Sequence, residues 1–131
     1  MIEMEQHFVS SAHKERFLKM MIEDDMSPSD SERASLFYII TGNDDLYRKR
    51  RFIYDCREHC IRVCLENTDV DFSSGMRSLI RLGFNLYNGW SDRYTTPIYL
   101  LGSLDSRNLL VARNAIMIRF NSGLLEVLVE Q

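Results

Sequence analysis

Cys56, His59, Cys60 and Cys64 place four soft metal ligands in one short stretch, the donor set of a structural zinc site. On a continuous helix Cys56 and Cys64 stand about 12 Å apart along the axis, at about 1.5 Å of rise per residue. Zinc holds its ligands at about 2.0 to 2.3 Å, so a four-ligand site needs the helix to break inside this segment. Neither glycine nor proline stands there. Cysteines at four-residue spacing also serve as small apolar residues on one helix face, with His59 beside them. The expectation is therefore no cofactor, with zinc on Cys56, His59, Cys60 and Cys64 as the alternative. The C-x3-C-x2-C pattern of iron-sulfur radical enzymes is missed by one residue.

The second group with chemistry is the basic run Arg48-Lys49-Arg50-Arg51, interleaved with Tyr47, Phe52 and Tyr54, which offers electrostatic contact to phosphates. On a helix these four charges spread around most of the circumference and form no single stripe, which reads as a solvated face. Trp90 offers a possible anchor for a partner, because tryptophan recurs at binding hot spots; a lone tryptophan in a small domain is more often largely buried. Glu23-Asp24-Asp25 lacks the alternating ligands and central glycine of a calcium loop. No glycine-rich phosphate loop, G-x-S-x-G elbow or H-E-x-x-H pair is present, so nucleotide sites and the common hydrolase templates find no candidate and no catalytic residue is assigned.

The elements that must position these groups are helices. Ser10 or Ser11 caps a first helix to about Glu23, and Ser29 with Glu32 has capping-box spacing for a second that ends at Gly42. Asn43 caps a third, with Asp44 and Asp45 in its first turn, continuing to about Leu65 because nothing stops it. Met76, Leu79, Ile80, Leu82, Gly83, Phe84, Leu86 and Tyr87 share one arc of a fourth, with Arg77, Ser78, Arg81, Asn85 and Asn88 opposite. Gly83 there admits a close neighbour, and Asn88-Gly89 ends the helix. A short turn starts near Pro97. Asp105 caps a fifth long helix whose apolar residues surround nearly its whole circumference, which predicts the central buried helix. The tail Leu124 to Gln131 fits either a helix or a strand. The fold class expected is mainly α: a compact single-domain bundle of about five helices over residues 1–131.

Composition bounds the rest. With 131 residues, 45% hydrophobic and 27% charged, the chain has the balance of one globular domain. No basic leader with an apolar run and no membrane-length apolar stretch is present. Three clustered cysteines are an odd number, unlike a disulfide scaffold, so reduced thiols in a cytoplasm are expected. The net charge of -3 argues mildly against a nucleic-acid partner, although it hides an acidic first third followed by a basic stretch.

Three stretches carry a resemblance: Glu32-Arg33-Ala34-Ser35-Leu36-Phe37-Tyr38-Ile39-Ile40 leading into Gly42-Asn43-Asp44-Asp45-Leu46-Tyr47, then His59-Cys60-Ile61, then Ser78-Leu79-Ile80-Arg81-Leu82-Gly83-Phe84-Asn85-Leu86-Tyr87-Asn88-Gly89. Over roughly residues 11–120 the chain resembles an uncharacterised family of small helical proteins from Gram-positive bacteria and their phages. The resemblance implies an origin more than an activity and offers no catalytic residues to carry over. It suggests a non-enzymatic protein-interaction module that binds and regulates or inhibits a host protein, for example a CRISPR or other defence nuclease. The alternatives are a zinc-stabilised small domain, or a nucleic-acid-binding regulator that uses Arg48, Lys49, Arg50 and Arg51.

Overall fold

Asp30 starts the helix about which the others gather: its carboxylate accepts the N–H of Arg33 at 3.0 Å, a side-chain N-cap. From there α2 (Ser31–Thr41) carries Ala34 to Thr41 as an unbroken buried run. The structure, a computed structural model, describes residues 7–27, 29–62, 65 and 70–121. Around α2 lie α1 (Ser11–Glu23), α3 (Asp44–Arg48), α4 (Ser74–Asn88) and α6 (Ser106–Phe120), all in contact with it. The short α5 (Pro97–Leu101) rests on α4. The protein is mainly helical, and its buried apolar residues form one core cluster. Among the described residues no helix is long and apolar enough to cross a membrane. The expected tail conformation at 124–131 lies outside the described residues.

Helix starts follow local chemistry. Ser10, Asn43, Ser73 and Asp105 each accept a backbone N–H two or three residues on, as capping requires. Pro97 stands at the first turn of α5. Gly89 closes α4 in the left-handed conformation at φ 81, which glycine adopts without steric penalty. The second helix departs from expectation, because Asp30 and not Ser29 is the cap; Ser29 hydrogen-bonds Ser27 instead. A β-carbon on Gly83 would stand 2.8 Å from Leu36 Cδ1, so glycine is what lets α4 lie against α2.

The central position belongs to α2 and not to α6, correcting the expectation drawn from apolar content. Along α6, Leu109, Arg113 and Phe120 face solvent, while Val111, Ala112, Ala115 and Ile118 pack inward. Small residues on that inner face let the helix approach α2 closely, and scattered exposed apolar residues are ordinary on protein surfaces. Arg119 reaches the Leu86 carbonyl at 2.8 Å. Ser78, read as polar-faced, is buried under α5, where it donates to the Tyr99 carbonyl at 3.1 Å.

Buried polar groups on α1 and α2 are satisfied in kind. His13 Nε2 donates to the Tyr38 carbonyl at 3.0 Å, and its Nδ1 accepts the N–H of Val9 at 3.2 Å. That arrangement requires a neutral ring. Burial, opposed by the Tyr38 hydrogen bond, holds the His13 pKa at about 4, below its ordinary 6.5; burial and Arg113 push His7 the same way. Above pH 6.5 the unfolded His13 is as neutral as the folded one, and its contribution to stability is complete. Between 6.5 and about 4 the unfolded chain takes up a proton that the folded chain refuses, so stability falls by up to about 1.4 kcal/mol per pH unit for one proton. Urea midpoints should therefore drop on acidification through this window. His13→Gln should show a shallower decline, and an identical profile would remove the assignment.

Candidate functional site

The chain does not stay helical after α3. A 3-10 turn (Arg50–Phe52) leads into a hairpin of β1 (Tyr54–Asp55) and β2 (Cys60–Ile61), with Tyr54 opposite Ile61 and Asp55 opposite Cys60. Two causes stand out. Ile53 and Tyr54 are drawn into the core, the Tyr54 ring edge-on to Phe37 at 5.0 Å. Asp55 Oδ1 then accepts the N–H groups of Arg57 at 2.9 Å and Glu58 at 3.1 Å, capturing donors that a helix would use for its own carbonyls. Those two N–H groups, with Arg62 and Arg57 nearby, hold the Asp55 carboxyl below its usual range.

His59 closes this loop in the left-handed region at φ 54, a conformation that non-glycine residues rarely adopt. Its Nδ1 donates to Asp24 Oδ1 at 2.9 Å, while half of the imidazole remains in solvent, at 53% exposure. Asp24 comes from the far side of the sequence, just past α1, and its side chain is 0% exposed. Its other oxygen accepts Arg33 Nη1 at 2.6 Å and the Tyr54 hydroxyl at 3.1 Å. Arg33 is fixed in turn by Asp30 Oδ2 at 2.6 Å. Burial works against the Arg33 charge, but the hydrogen bonds to Asp30 and Asp24 prevail and push its pKa up. Burial and the Asp24 charge push the Tyr54 hydroxyl up, keeping it a donor. Tyr87 donates to the His59 carbonyl at 3.1 Å. Asp24, Asp25, Arg33, His59 and Tyr87 line an open depression of about 450 Å3.

A larger cavity of about 550 Å3 is lined by Arg50, Arg51, Arg57 and Arg62 with Met20, Glu23, Tyr54, Asp55 and Cys56. Here four guanidinium groups meet two carboxylates. Arg50 is braced on the Tyr47 ring at 4.2 Å and donates to its carbonyl at 3.0 Å. The Arg62–Asp55 pair is loose at 3.7 Å. Two residues of the basic run go elsewhere: Arg48 pairs with Asp45, and Lys49 donates to the Asp71 carbonyl.

A model of an uncharacterised family matches residues 3–128. The chain belongs to DUF6075, a family of unknown function. No curated protein and no solved structure matches it.

In this DUF6075 protein Cys56, His59 and Cys60 stand on the hairpin. The helix breaks, as a four-ligand site would need. Even so, among the described residues no three His, Cys, Asp or Glu side chains gather to hold a metal ion. Cys56 and Cys60 are exposed free thiols on the hairpin, and His59 is turned to Asp24. Cys64 lies outside the described residues. Burial and then the charges of Asp24, Glu23 and Asp55 push the Cys56 thiol up, away from the thiolate that nucleophiles need. Trp90 is half-buried, edge-on to Phe84 at 5.6 Å, between an exposed anchor and a core residue.

Sequence reasoning missed Asp24, Arg33, Arg57 and Arg62. Glu23-Asp24-Asp25 reads as three solvated charges, and nothing local separates the buried middle one from its neighbours. The exception is Asp55 followed by Arg57 and Glu58, where an Asp two and three residues before free N–H groups is a turn signal.

Proposed function

We propose that this chain binds a single-stranded nucleic acid at the arginine-lined cavity. The observation that carries this reading is the convergence of Arg50, Arg51, Arg57 and Arg62 on one cavity. On the same turn as Arg50 and Arg51, Phe52 keeps 50% of its surface in solvent. Guanidinium groups neutralise phosphates with release of counterions, and an exposed aromatic ring gives a base a stacking surface. Glu23 and Asp55 in the lining offset part of the four guanidinium charges. A labelled single-stranded oligodeoxynucleotide followed by fluorescence anisotropy tests this. Affinity should fall as salt rises. Arg57→Glu combined with Arg62→Glu should weaken it about tenfold or more. Binding that ignores both salt and the double variant would dispose of the reading.

A second reading is favoured by a different surface. Ile98 and Tyr99, adjacent on α5, are both exposed; Tyr94 lies edge-on to Tyr99 at 5.4 Å, and Arg81 stands over Tyr94 at 5.0 Å. Aromatic and arginine side chains in this combination are typical of protein-binding hot spots. On this reading the chain is a non-enzymatic cytoplasmic module from a Gram-positive phage or mobile element that binds and regulates or inhibits a host protein, such as a CRISPR or other defence nuclease. Recovery from bacterial lysate of a specific protein that Ile98→Glu no longer captures supports it; recovery of nothing specific counts against it.

A further inference from the structure

We infer that the arginine-lined cavity takes the terminal phosphate of the strand, a phosphomonoester at the end of the chain and not a phosphodiester within it. This rests on the nucleic-acid reading above and narrows it to one part of the strand. An end group is favoured by the charge of the lining, by where the other cations of the basic run are engaged, and by how the four guanidinium groups are held.

The lining sets four guanidinium groups against the carboxylates of Glu23 and Asp55, an excess of two positive charges. Near neutral pH the tyrosine and cysteine of the lining do not alter that count. Burial, then the charges of Asp24, Glu23 and Asp55, push the Cys56 thiol up, and burial and the Asp24 charge push the Tyr54 hydroxyl up, so both stay uncharged. The N–H groups of Glu58 and Arg57 keep Asp55 ionised. A phosphomonoester brings about 1.5 to 2 negative charges at pH 7 and three strong acceptor oxygens, whereas each phosphodiester inside a strand brings one charge. The charge of the end group matches the excess. The cavity, at about 550 Å3, is also of the size of small-ligand sites, about 300 to 1,000 Å3.

A site for the interior of a strand uses a basic groove that tracks successive phosphates. The basic run lays down no such track, because Arg48 pairs with Asp45 and Lys49 donates to the Asp71 carbonyl. Instead the hairpin brings Arg57 from its turn and Arg62 from just past β2 to the same cavity as Arg50 and Arg51 of the 3-10 turn. Arg50 is already positioned, over the Tyr47 ring at 4.2 Å and donating to the Tyr47 carbonyl at 3.0 Å, which lowers the ordering cost of binding. Among the described residues Arg51 and Arg57 make no ion pair, and Arg62 approaches Asp55 only to 3.7 Å. Their donors therefore remain for an anion, and the guanidinium fork matches phosphate oxygens two at a time.

The test is fluorescence anisotropy of an internally labelled single-stranded oligodeoxynucleotide carrying hydroxyls at both ends, a 5′-phosphate, or a 3′-phosphate. One of the phosphorylated strands should bind about tenfold tighter, or better, than the hydroxyl strand. Esterifying that phosphate with a methyl group leaves a single charge and should remove most of the gain. Arg57→Gln combined with Arg62→Gln should abolish the gain, and Arg51→Gln should reduce it, with circular dichroism confirming each fold. Arg48→Gln, whose partner is Asp45, should retain it. Equal binding of the phosphorylated and hydroxyl strands, or a gain that survives in both cavity variants, removes this inference and leaves the nucleic-acid reading standing. Absence of binding by every strand removes both. Adenosine 5′-monophosphate or a phosphoserine peptide that displaces the labelled strand at the same concentration as unlabelled phosphorylated strand overturns the strand end as the ligand.

Discussion

Replacing Asp24 by alanine is expected to destabilise the protein by about 3 kcal/mol, measured as a fall in the urea midpoint with an unchanged slope. Three donors lose their acceptor together: Arg33 Nη1, the Tyr54 hydroxyl and His59 Nδ1. The first two are the expensive ones. Tyr54 is buried and has no water to turn to, and a buried donor left unsatisfied carries its full desolvation penalty. Arg33 is only 24% exposed and keeps Asp30 as a partner, which sets the figure at the lower end of the range for broken buried pairs. His59 can hydrate its ring, so His59→Ala should change stability far less than Asp24→Ala. Equal effects from the two substitutions would mean that the cluster is held from the hairpin side and not by the buried carboxylate.

The other large effect is expected at Phe37→Ala, at about 3 to 5 kcal/mol. Phe37 is fully buried on α2 and meets the Tyr54 ring edge-on at 5.0 Å. Truncation opens a cavity in the middle of the bundle and removes an aromatic pair that adds about 0.5 to 1.5 kcal/mol beyond area burial. The same contact seats Tyr54, which donates to Asp24. Phe37→Ala and Asp24→Ala should therefore be non-additive in a double-mutant cycle, as expected for residues sharing a partner. Guanidinium unfolding of the four proteins measures both quantities. A loss under about 1 kcal/mol for Phe37→Ala would mean that α2 is not the helix on which the core is built.

Much of the fold was legible because helix starts and stops are local events. Ser10, Asn43, Ser73, Pro97, Asp105 and Gly89 stand where the helices begin or end, and each acts on backbone groups within a few residues of itself. The arc of α4 was equally legible, since 3.6-residue periodicity reports which side faces inward. The centre of the bundle was not. Apolar content favoured α6, whereas α2 holds the position through its neighbours: α1, α3, α4 and α6 all pack on it. The third helix was overextended because absence of glycine and proline permits a helix without requiring one. Core burial of Ile53 and Tyr54, with the Asp55 turn, decided the matter.

The sequence by itself determined a mainly helical chain, the ends of its principal helices, the wide apolar face of α4 and the basic run after α3. Tertiary structure alone decided that Asp24 and His59, 35 positions apart, would meet in a hydrogen bond. It also decided that Arg50 and Arg51 would meet Arg57 and Arg62 around one cavity. The physical reason is range. A cap or an apolar stripe is an interaction among near neighbours, readable from their order. A buried carboxylate becomes tolerable only once distant donors surround it, and which donors arrive depends on how the whole core packs.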